Sequence, residues 1–194
     1  MILAHGAGGN AQAPLLRALA DTFVGAGFTV LRIDLPFRQV RPFGPPGPGD
    51  AAARDRTGLK NAIAKMRTML SGRIYLAGHS YGGRQASILC AEQPDLAAGL
   101  LLLSYPLHPP RRPEQQRTQH LPDLRTTTLF VSGTRDPFGT IAELEHALKM
   151  IPGKSNLVPV EGAGHDLGFK GKTRKEELPK LILSEFVKLM EPSS

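Results

Sequence analysis

The stretch from Arg73 to Gly83, RIYLAGHSYGG, constrains the fold of this chain more than any other. A short apolar run ends at Gly78, Ser80 follows two residues later, and a helical pattern begins behind it. The spacing G-x-S-x-G between a strand and a helix is typical of a nucleophile elbow, a sharp turn that exposes a serine hydroxyl. A glycine-rich turn without chemistry has the same letters, so the interpretation depends on the rest of the chain.

Apolar runs alternate with helical patterns along the sequence. Most of the runs are continuously apolar, which is typical of a parallel sheet covered by helices on both faces. We predict six strands, at residues 1–4, 28–33, 74–77, 96–104, 126–132 and 155–160. We predict helices at about 15–24, 50–70, 85–91, 141–150 and 176–190. The predicted fold class is a three-layer α/β fold, and 194 residues favour one domain over residues 1–194.

Two segments are predicted to be irregular loops. Residues 41–49, RPFGPPGPG, contain too many prolines for a helix or a strand. Residues 105–123 form the second loop, with one helical turn expected near residues 114–120.

The net charge of +7 suggests nucleic acid or an anionic surface as a partner. However, the basic clusters at residues 111–112 and 170–175 are not interleaved with aromatic residues, and the chain has no tryptophan for base stacking. We therefore expect no nucleic-acid partner. Without a long apolar run or a leader pattern we also expect no membrane, and a cytoplasmic location. Cys90, the single cysteine, lies in an apolar helical stripe and should be buried.

A serine hydroxyl is a weak nucleophile unless a base takes its proton, and that base needs a third group to orient it. Asp136 follows the strand TTTLFVS, and His165 follows the strand SNLVPV. Parallel strands bring these loops to one edge of the sheet, and the order Ser, Asp, His is that of α/β-hydrolases. We predict Ser80 as nucleophile, Asp136 as acid and His165 as base. Asp34 and Asp166 are the alternative acids.

An oxyanion that develops during acyl transfer needs preorganised donors. One is predicted to be the backbone amide of Tyr81, directly after the nucleophile. The other is expected from residues 5–9, HGAGG, which follow the first strand. The Ala7 amide is the first choice within this segment, and the Gly8 amide is the second.

The same glycine-rich segment has a competing interpretation. Residues 6–11, GAGGNA, also fit a dinucleotide-binding turn, and Asp34 closes the next strand, where a ribose-binding acid would lie. A dinucleotide-binding oxidoreductase is therefore an alternative. Against it, Asp34 lies slightly too far along the chain, and Pro14 is expected to interrupt the helix that should face the pyrophosphate. Such an enzyme also gives no reason for the later Ser, Asp and His in that order.

The chain resembles the α/β-hydrolase superfamily, and within it the compact dienelactone-hydrolase-like group of small hydrolases. The resemblance covers nearly the whole chain and includes HGAGG, LRIDLPFR, GHSYGGRQAS, SYPLHPP and VSGTRDPFGT. It implies the catalytic triad Ser80, Asp136 and His165, and the strand order 4-3-5-6-7-8 in the family's labels. The family usually has two strands ahead of the HGxG strand, within which this sequence begins. We therefore expect either a minimal form in which those two strands are absent or a native start further upstream. In the minimal form residues 28–33 are an exposed edge, and a monomer and a homodimer are both open.

The segment between the strands at residues 96–104 and 126–132 is too short for a helical lid domain. We therefore expect a shallow, open substrate pocket, which Tyr81 would help to shape. Its other predicted residues are His5, Gly6, Tyr105, Pro106, His108 and Phe138. The hypothesis is a carboxylesterase that acts on small esters through an acyl-enzyme on Ser80, without a cofactor or a metal. A thioesterase, a lipase, a peptidase and a non-catalytic binding or scaffold protein of the same fold are the alternatives.

Overall fold

A computed structural model describes residues 1–169 and 177–191. The strands are β1 (Ile2–Ala4), β2 (Leu31–Ile33), β3 (Tyr75–His79), β4 (Gly99–Leu103), β5 (Thr128–Gly133) and β6 (Ser155–Val160). The helices are α1 (Pro14–Gly25), α2 (Pro36–Val40), α3 (Ala51–Met69), α4 (Tyr81–Glu92), α5 (Ile141–Leu148) and α6 (Leu178–Met190). Among the helices in these ranges, none is long and apolar enough to cross a bilayer.

The six strands form one parallel sheet in the order β2-β1-β3-β4-β5-β6. In the family's labels this is the order 4-3-5-6-7-8, so the predicted α/β fold and its strand order are confirmed. β2 lies at an edge, as predicted, and β3, the strand that leads to Ser80, lies between β1 and β4. Residues 104–127, which are described throughout, contain turns and one short 3₁₀ helix and form no helical lid.

Side chains on the two faces of the sheet build two apolar clusters. Leu100 and Leu102 of β4 pack with residues of α3, α4 and α5 on one face. Leu101 and Leu103 of the same strand pack with residues of α1 and α6 on the other. This alternation follows from the two-residue period of a strand, and it explains why β4 is apolar at every position. Cys90 is fully buried in the first cluster, and burial raises the pKa of its thiol to about 12.

Several predicted boundaries are wrong. β2 covers only three residues instead of 28–33, and β4 begins later than predicted because a short 3₁₀ helix, Pro94–Leu96, precedes it. A helical turn forms at Leu121–Asp123 rather than near residues 114–120. Helix α2 was not predicted from the sequence, although Pro36 favours its first turn by fixing φ where the amide needs no partner. Residue 176, the first of the last predicted helix, and the basic cluster at residues 170–175 lie outside the described residues.

His120 is a half-buried histidine in the segment between β4 and β5. Its Nε2 atom lies 2.8 Å from the hydroxyl oxygen of Ser87 on α4. Desolvation, and then the positive charge of Arg84, lower the pKa of His120 from 6.5 to about 4, while Asp123 has a smaller opposite effect. The folded protein therefore keeps this imidazole neutral at pH values at which the unfolded chain protonates it.

We predict that His120 makes the stability depend on pH between about 6.5 and about 4. As the pH falls through this range, the unfolded chain takes up a proton that the folded protein takes up only near the lower limit. The free energy of unfolding then decreases by up to about 3 kcal/mol. Chemical denaturation of the wild type and of His120→Gln, above and within this range, measures the difference. The variant should lose less stability on acidification, and equal losses would contradict this role.

Candidate active site

Ser80 occupies a strained turn between β3 and α4. Its φ is 50° and its ψ is −115°, an unfavourable backbone conformation for a residue with a side chain. Close backbone contacts on both sides explain the flanking glycines. A Cβ atom on Gly78 would overlap the backbone of Gly83, and a Cβ atom on Gly82 would lie 2.5 Å from the carbonyl oxygen of His5. The turn is thus packed between β3, α4 and the end of β1.

Three side chains from separate strand ends form a hydrogen-bonded chain. The Nε2 atom of His165 lies 2.8 Å from the Oγ atom of Ser80. The Nδ1 atom of His165 lies 2.8 Å from Oδ2 and 3.0 Å from Oδ1 of Asp136. The Asp136 side chain is only 1% exposed, and its Oδ1 atom also accepts the backbone amide of Phe138 at 2.9 Å. The structure therefore brings together the nucleophile, base and acid that the sequence predicts.

Phe138 and His79 contact the side chain and the backbone of His165, respectively. The Phe138 ring stacks on the imidazole with a centroid distance of 4.2 Å and an interplanar angle of 30°. On another side, the Nε2 atom of His79 lies 2.7 Å from the backbone carbonyl oxygen of His165. His79, which follows Gly78 in the elbow, thus contacts the loop that carries His165.

The start of α4 and the HGAGG loop, which carry the amides predicted as oxyanion donors, lie beside Ser80. Tyr81 is the first residue of α4, so its amide has no acceptor within the helix, and it lies at the positive end of the helix dipole. Residues 5–9, the HGAGG loop, approach Ser80 closely. A Cβ atom on Gly6 would lie 3.3 Å from the Cβ atom of Ser80. The amides of Ala7 and Gly8 belong to this loop.

Comparison with known proteins now places the chain in a family. The sequence profile of the family described as "Alpha/beta hydrolase domain" matches residues 1–190. This chain belongs to the alpha/beta hydrolase family. The predicted resemblance to that superfamily is confirmed.

Solved structures of other alpha/beta proteins superpose on most of the chain. A dienelactone hydrolase from Anabaena variabilis has 23% sequence identity and a TM-score of 0.76, covering 96% of this chain and 84% of that one. An alpha-beta serine hydrolase homologue from Coxiella burnetii has 20% identity and a TM-score of 0.75, covering 95% and 83%. A monoacylglycerol lipase from Paleococcus ferrophilus has 17% identity and a TM-score of 0.75, covering 97% and 93%. At these identities the likeness shows a shared fold.

The alternative acids have other contacts in this alpha/beta hydrolase. Asp34 accepts the backbone amide of Ala11 at 2.7 Å and so closes the segment after the HGAGG loop. Asp166 accepts the backbone amide of Gly168 at 3.1 Å. The expectation that Pro14 interrupts a helix is wrong, because α1 begins at this proline. Asp34, whose carboxylate a dinucleotide-binding protein would use to bind the ribose, instead accepts the amide of Ala11, the last residue of the GAGGNA segment.

His5 anchors the HGAGG loop and does not line the pocket, which corrects the prediction. It is fully buried, and its Nε2 atom accepts the backbone amide of Leu35 at 3.1 Å. Its Nδ1 atom lies 2.8 Å from the carbonyl oxygen of Gly6, to which it donates. Desolvation lowers the pKa of His5, more than the bond to Gly6 raises it. A neutral imidazole with its proton on Nδ1 therefore ties the loop to the chain after β2.

A cavity of about 250 Å³ opens beside Ser80 and His165. Of the predicted pocket residues, Gly6 and Phe138 line it. Apolar side chains that the sequence analysis did not assign to the pocket complete its walls. These are Ala13, Pro14, Leu15, Leu16 and Phe169, with Asp166 beside them. The position of the first turn of α1, directly after the HGAGG loop, is the sequence signal that could have indicated this wall.

The prediction that Tyr105, Pro106 and His108 line the pocket is wrong, because the chain turns away from the site after β4. Ser104, with φ of 48°, directs the following residues into the core on the face of α4 and α5. There the hydroxyl of Tyr105 donates to the carbonyl oxygen of Arg117 at 2.6 Å, and Arg117 in turn donates to the carbonyl oxygen of Pro106. His108 is also buried, with its Nε2 atom 3.5 Å from a Glu143 carboxylate oxygen on α5. The Tyr81 side chain likewise points away, towards α3.

We predict that Gly82→Ala destabilises this alpha/beta hydrolase by about 1–3 kcal/mol or more, because the added Cβ atom meets the backbone of Ala4 and His5. Gly25→Ala is the matched control. Gly25 lies in the last turn of α1 with no atom within 4 Å of an added Cβ, so alanine should leave the stability unchanged or raise it by up to about 1 kcal/mol. Chemical denaturation measures both changes. A Gly82→Ala protein as stable as the control would show that the packing around the elbow is looser than described.

Proposed function

We propose that this protein is a serine hydrolase that cleaves carboxylic esters through an acyl-enzyme on Ser80. The observation that carries the proposal is the hydrogen-bonded chain from Ser80 through His165 to the buried Asp136, at the wall of an apolar cavity. Asp136 fixes the tautomer that leaves Nε2 of His165 free to accept a proton, and it stabilises the imidazolium that forms.

The reaction takes place in two similar halves. The Oγ atom of Ser80 bonds to the ester carbonyl carbon while Nε2 of His165 takes the hydroxyl proton, and the carbonyl π electrons move onto oxygen. The tetrahedral species then expels the alcohol, which receives the proton from His165. In the second half, water attacks the acyl-enzyme while His165 takes its proton. The second tetrahedral species then breaks its bond to Ser80 Oγ, which receives that proton, and the carboxylic acid leaves.

The oxyanion of each tetrahedral species would bind to the backbone amides of Tyr81 and Ala7, with the Gly8 amide as the second choice for the loop donor. Two observations support this assignment. The Tyr81 amide lies at the start of α4, without an intrahelical acceptor. The HGAGG loop lies against Ser80 on the other side.

The shape of the cavity favours small esters with an apolar acyl group. Its walls are mostly alanine, proline, leucine and phenylalanine side chains, which offer little to a charged or sugar substrate. A volume of about 250 Å³ leaves room for a short acyl chain. Two structural relatives are named as a dienelactone hydrolase and a monoacylglycerol lipase, and these names are consistent with ester-like substrates for this chain too.

We predict that Ser80→Ala lowers kcat for short-chain p-nitrophenyl esters by at least about 10⁴-fold, because the nucleophile is lost. The variant should also lose covalent labelling by a fluorophosphonate probe. Ser184→Ala, at an exposed position on α6, is the control and should keep both activities. Equal rates for Ser80→Ala and the wild type would remove Ser80 as nucleophile. A folded wild type that the probe does not label would favour the non-catalytic binding or scaffold alternative.

We predict that Ala13→Leu shifts the preference towards shorter acyl chains, since the larger side chain occupies part of the cavity. The ratio of kcat/KM for octanoate to that for acetate esters should fall about 10-fold or more. Ala142→Leu, at an exposed position on α5, is the control. Rates with p-nitrophenyl esters from acetate to octanoate measure the ratio. An unchanged chain-length profile in Ala13→Leu would show that the acyl group lies elsewhere.

A further inference from the structure

The short helix α2 connects two buried charged groups that have no part in the proposed proton transfers. Arg38 lies on α2 and is 7% exposed, and Asp55 lies on α3 and is fully buried. A buried charge is unfavourable unless it is fully hydrogen-bonded, so the partners of these groups indicate what they stabilise.

The Arg38 guanidinium donates to four backbone carbonyl groups. Two belong to the HGAGG loop: Nη2 donates to Ala7 at 2.7 Å, and Nε donates to Gly9 at 2.8 Å. The other two belong to the proline-rich loop, residues 41–49: Nη1 donates to Arg41 and Nη2 donates to Gly44, both at 2.9 Å. The guanidinium also lies over the ring of its neighbour on α2, with 4.9 Å from Cζ to the ring centroid. One planar guanidinium therefore binds both loops.

These bonds fix the orientation of amides as well as carbonyl groups. A peptide unit is planar and trans, so its N–H points away from its C=O. The bond from Arg38 to the Ala7 carbonyl therefore sets the direction of the Gly8 amide. The Gly6 carbonyl accepts from the Gly9 amide at 3.0 Å and contacts Nδ1 of His5, and this sets the direction of the Ala7 amide. The directions of the Ala7 and Gly8 amides are thus both fixed by hydrogen bonds to the carbonyl groups of the preceding residues.

Asp55 connects the other candidate donor to the same helix. Its Oδ1 atom accepts the backbone amide of Phe37 in α2 at 2.9 Å, and its Oδ2 atom accepts the hydroxyl of Tyr81 at 2.6 Å. The Phe37 and Tyr81 rings also meet edge to face, with a centroid distance of 5.6 Å. Burial, and then the bond to Asp55, raise the pKa of the Tyr81 phenol, which keeps its hydroxyl proton available to Asp55. The residue after Ser80 is therefore tied to α2 by its side chain.

We propose that Arg38 and Asp55 are positioning residues that fix, through α2, the two separate backbone segments that carry the oxyanion donors. Ala7 and Gly8 follow β1, whereas Tyr81 begins α4, and α2 contacts both segments. An oxyanion site is effective only when its donors are preorganised to within a fraction of an ångström, so a common support has a direct effect on rate. The kinetic part of this inference depends on the proposed hydrolase function.

Two conservative variants and two control variants test the inference. Arg38→Lys keeps the positive charge but not the fork of donors, and Tyr81→Phe removes only the hydroxyl that Asp55 accepts. The control Arg67→Lys also changes an arginine that donates to a backbone carbonyl, that of Leu96, at 2.9 Å. The control Tyr105→Phe removes a buried hydroxyl that donates at 2.6 Å to the carbonyl oxygen of Arg117, in the segment between β4 and β5.

We expect Arg38→Lys to lower kcat for p-nitrophenyl acetate about 10- to 100-fold with KM within about twofold of the wild type, because the lost interaction acts in the transition state. Tyr81→Phe should lower kcat about 3- to 10-fold in the same pattern. The affinity for a phenylboronic acid, which forms a tetrahedral adduct on serine, should fall by the same factors. Both controls should stay within about twofold of the wild type.

Amide hydrogen exchange gives a readout that does not need hydrolysis. In Arg38→Lys, peptides that cover the HGAGG loop should exchange at least about 10-fold faster, and in Arg67→Lys they should not. The inference would be overturned if Arg38→Lys left the exchange of this loop unchanged and had the same kcat as the controls. It would also be overturned if Arg38→Lys lost no more kcat than a control variant whose thermal stability falls by the same amount. If the wild type hydrolyses no ester, the proposed function fails and the exchange data alone decide the positioning role.

Discussion

The strained backbone of Ser80 is the feature on which the rest of the site depends. A residue with φ of 50° is unfavourable by about 1–3 kcal/mol, so neighbouring structure must hold it there. The sheet does so on one side, since the Ser80 amide donates to the Leu103 carbonyl oxygen of β4 at 2.8 Å. The helix does so on the other, since the Arg84 amide donates to the Ser80 carbonyl oxygen at 2.9 Å. The position of the Ser80 hydroxyl at the cavity is thus a consequence of the parallel sheet and of the glycines that let α4 approach it.

Three buried charged side chains near the site, Asp136, Asp55 and Arg38, obtain their hydrogen bonds mainly from backbone groups. Asp136 accepts a backbone amide in addition to its contact with His165, Asp55 accepts an amide and a phenol, and Arg38 donates to four carbonyl groups. In a low-dielectric interior such bonds are stronger than in water, and an unpaired partner is correspondingly unfavourable. The same network therefore stabilises one conformation of the loops and fixes the direction of their amides. Stability and preorganisation have a common origin here.

The sequence predicted the sheet and the three hydrogen-bonded side chains because both follow from topology. Strands of a parallel sheet end at one edge, so residues just after β3, β5 and β6 must meet there, whatever the details of the loops. The pocket depended on something that periodicity does not encode, namely the direction in which each loop leaves its strand. The positive φ of Ser104 turned residues 105–108 into the core, and the apolar pattern of α1 indicated burial for Leu15 and Leu16 without indicating that they face a cavity. A five-residue helix such as α2 is too short for a helical period to be recognised.

The contact with Arg38 explains the composition of the proline-rich loop, residues 41–49. Its carbonyl groups at Arg41 and Gly44 complete the hydrogen bonds of the guanidinium that also binds the HGAGG loop. A flexible loop would lose conformational entropy whenever it presented those carbonyls, and this would weaken the hold of Arg38 on both loops. Prolines restrict the unfolded chain and so reduce that loss, while Gly44, with φ of 81°, supplies a left-handed turn that proline cannot adopt. A composition that sequence analysis treats as a break between elements therefore favours the ordered state of a loop that supports the site from a distance.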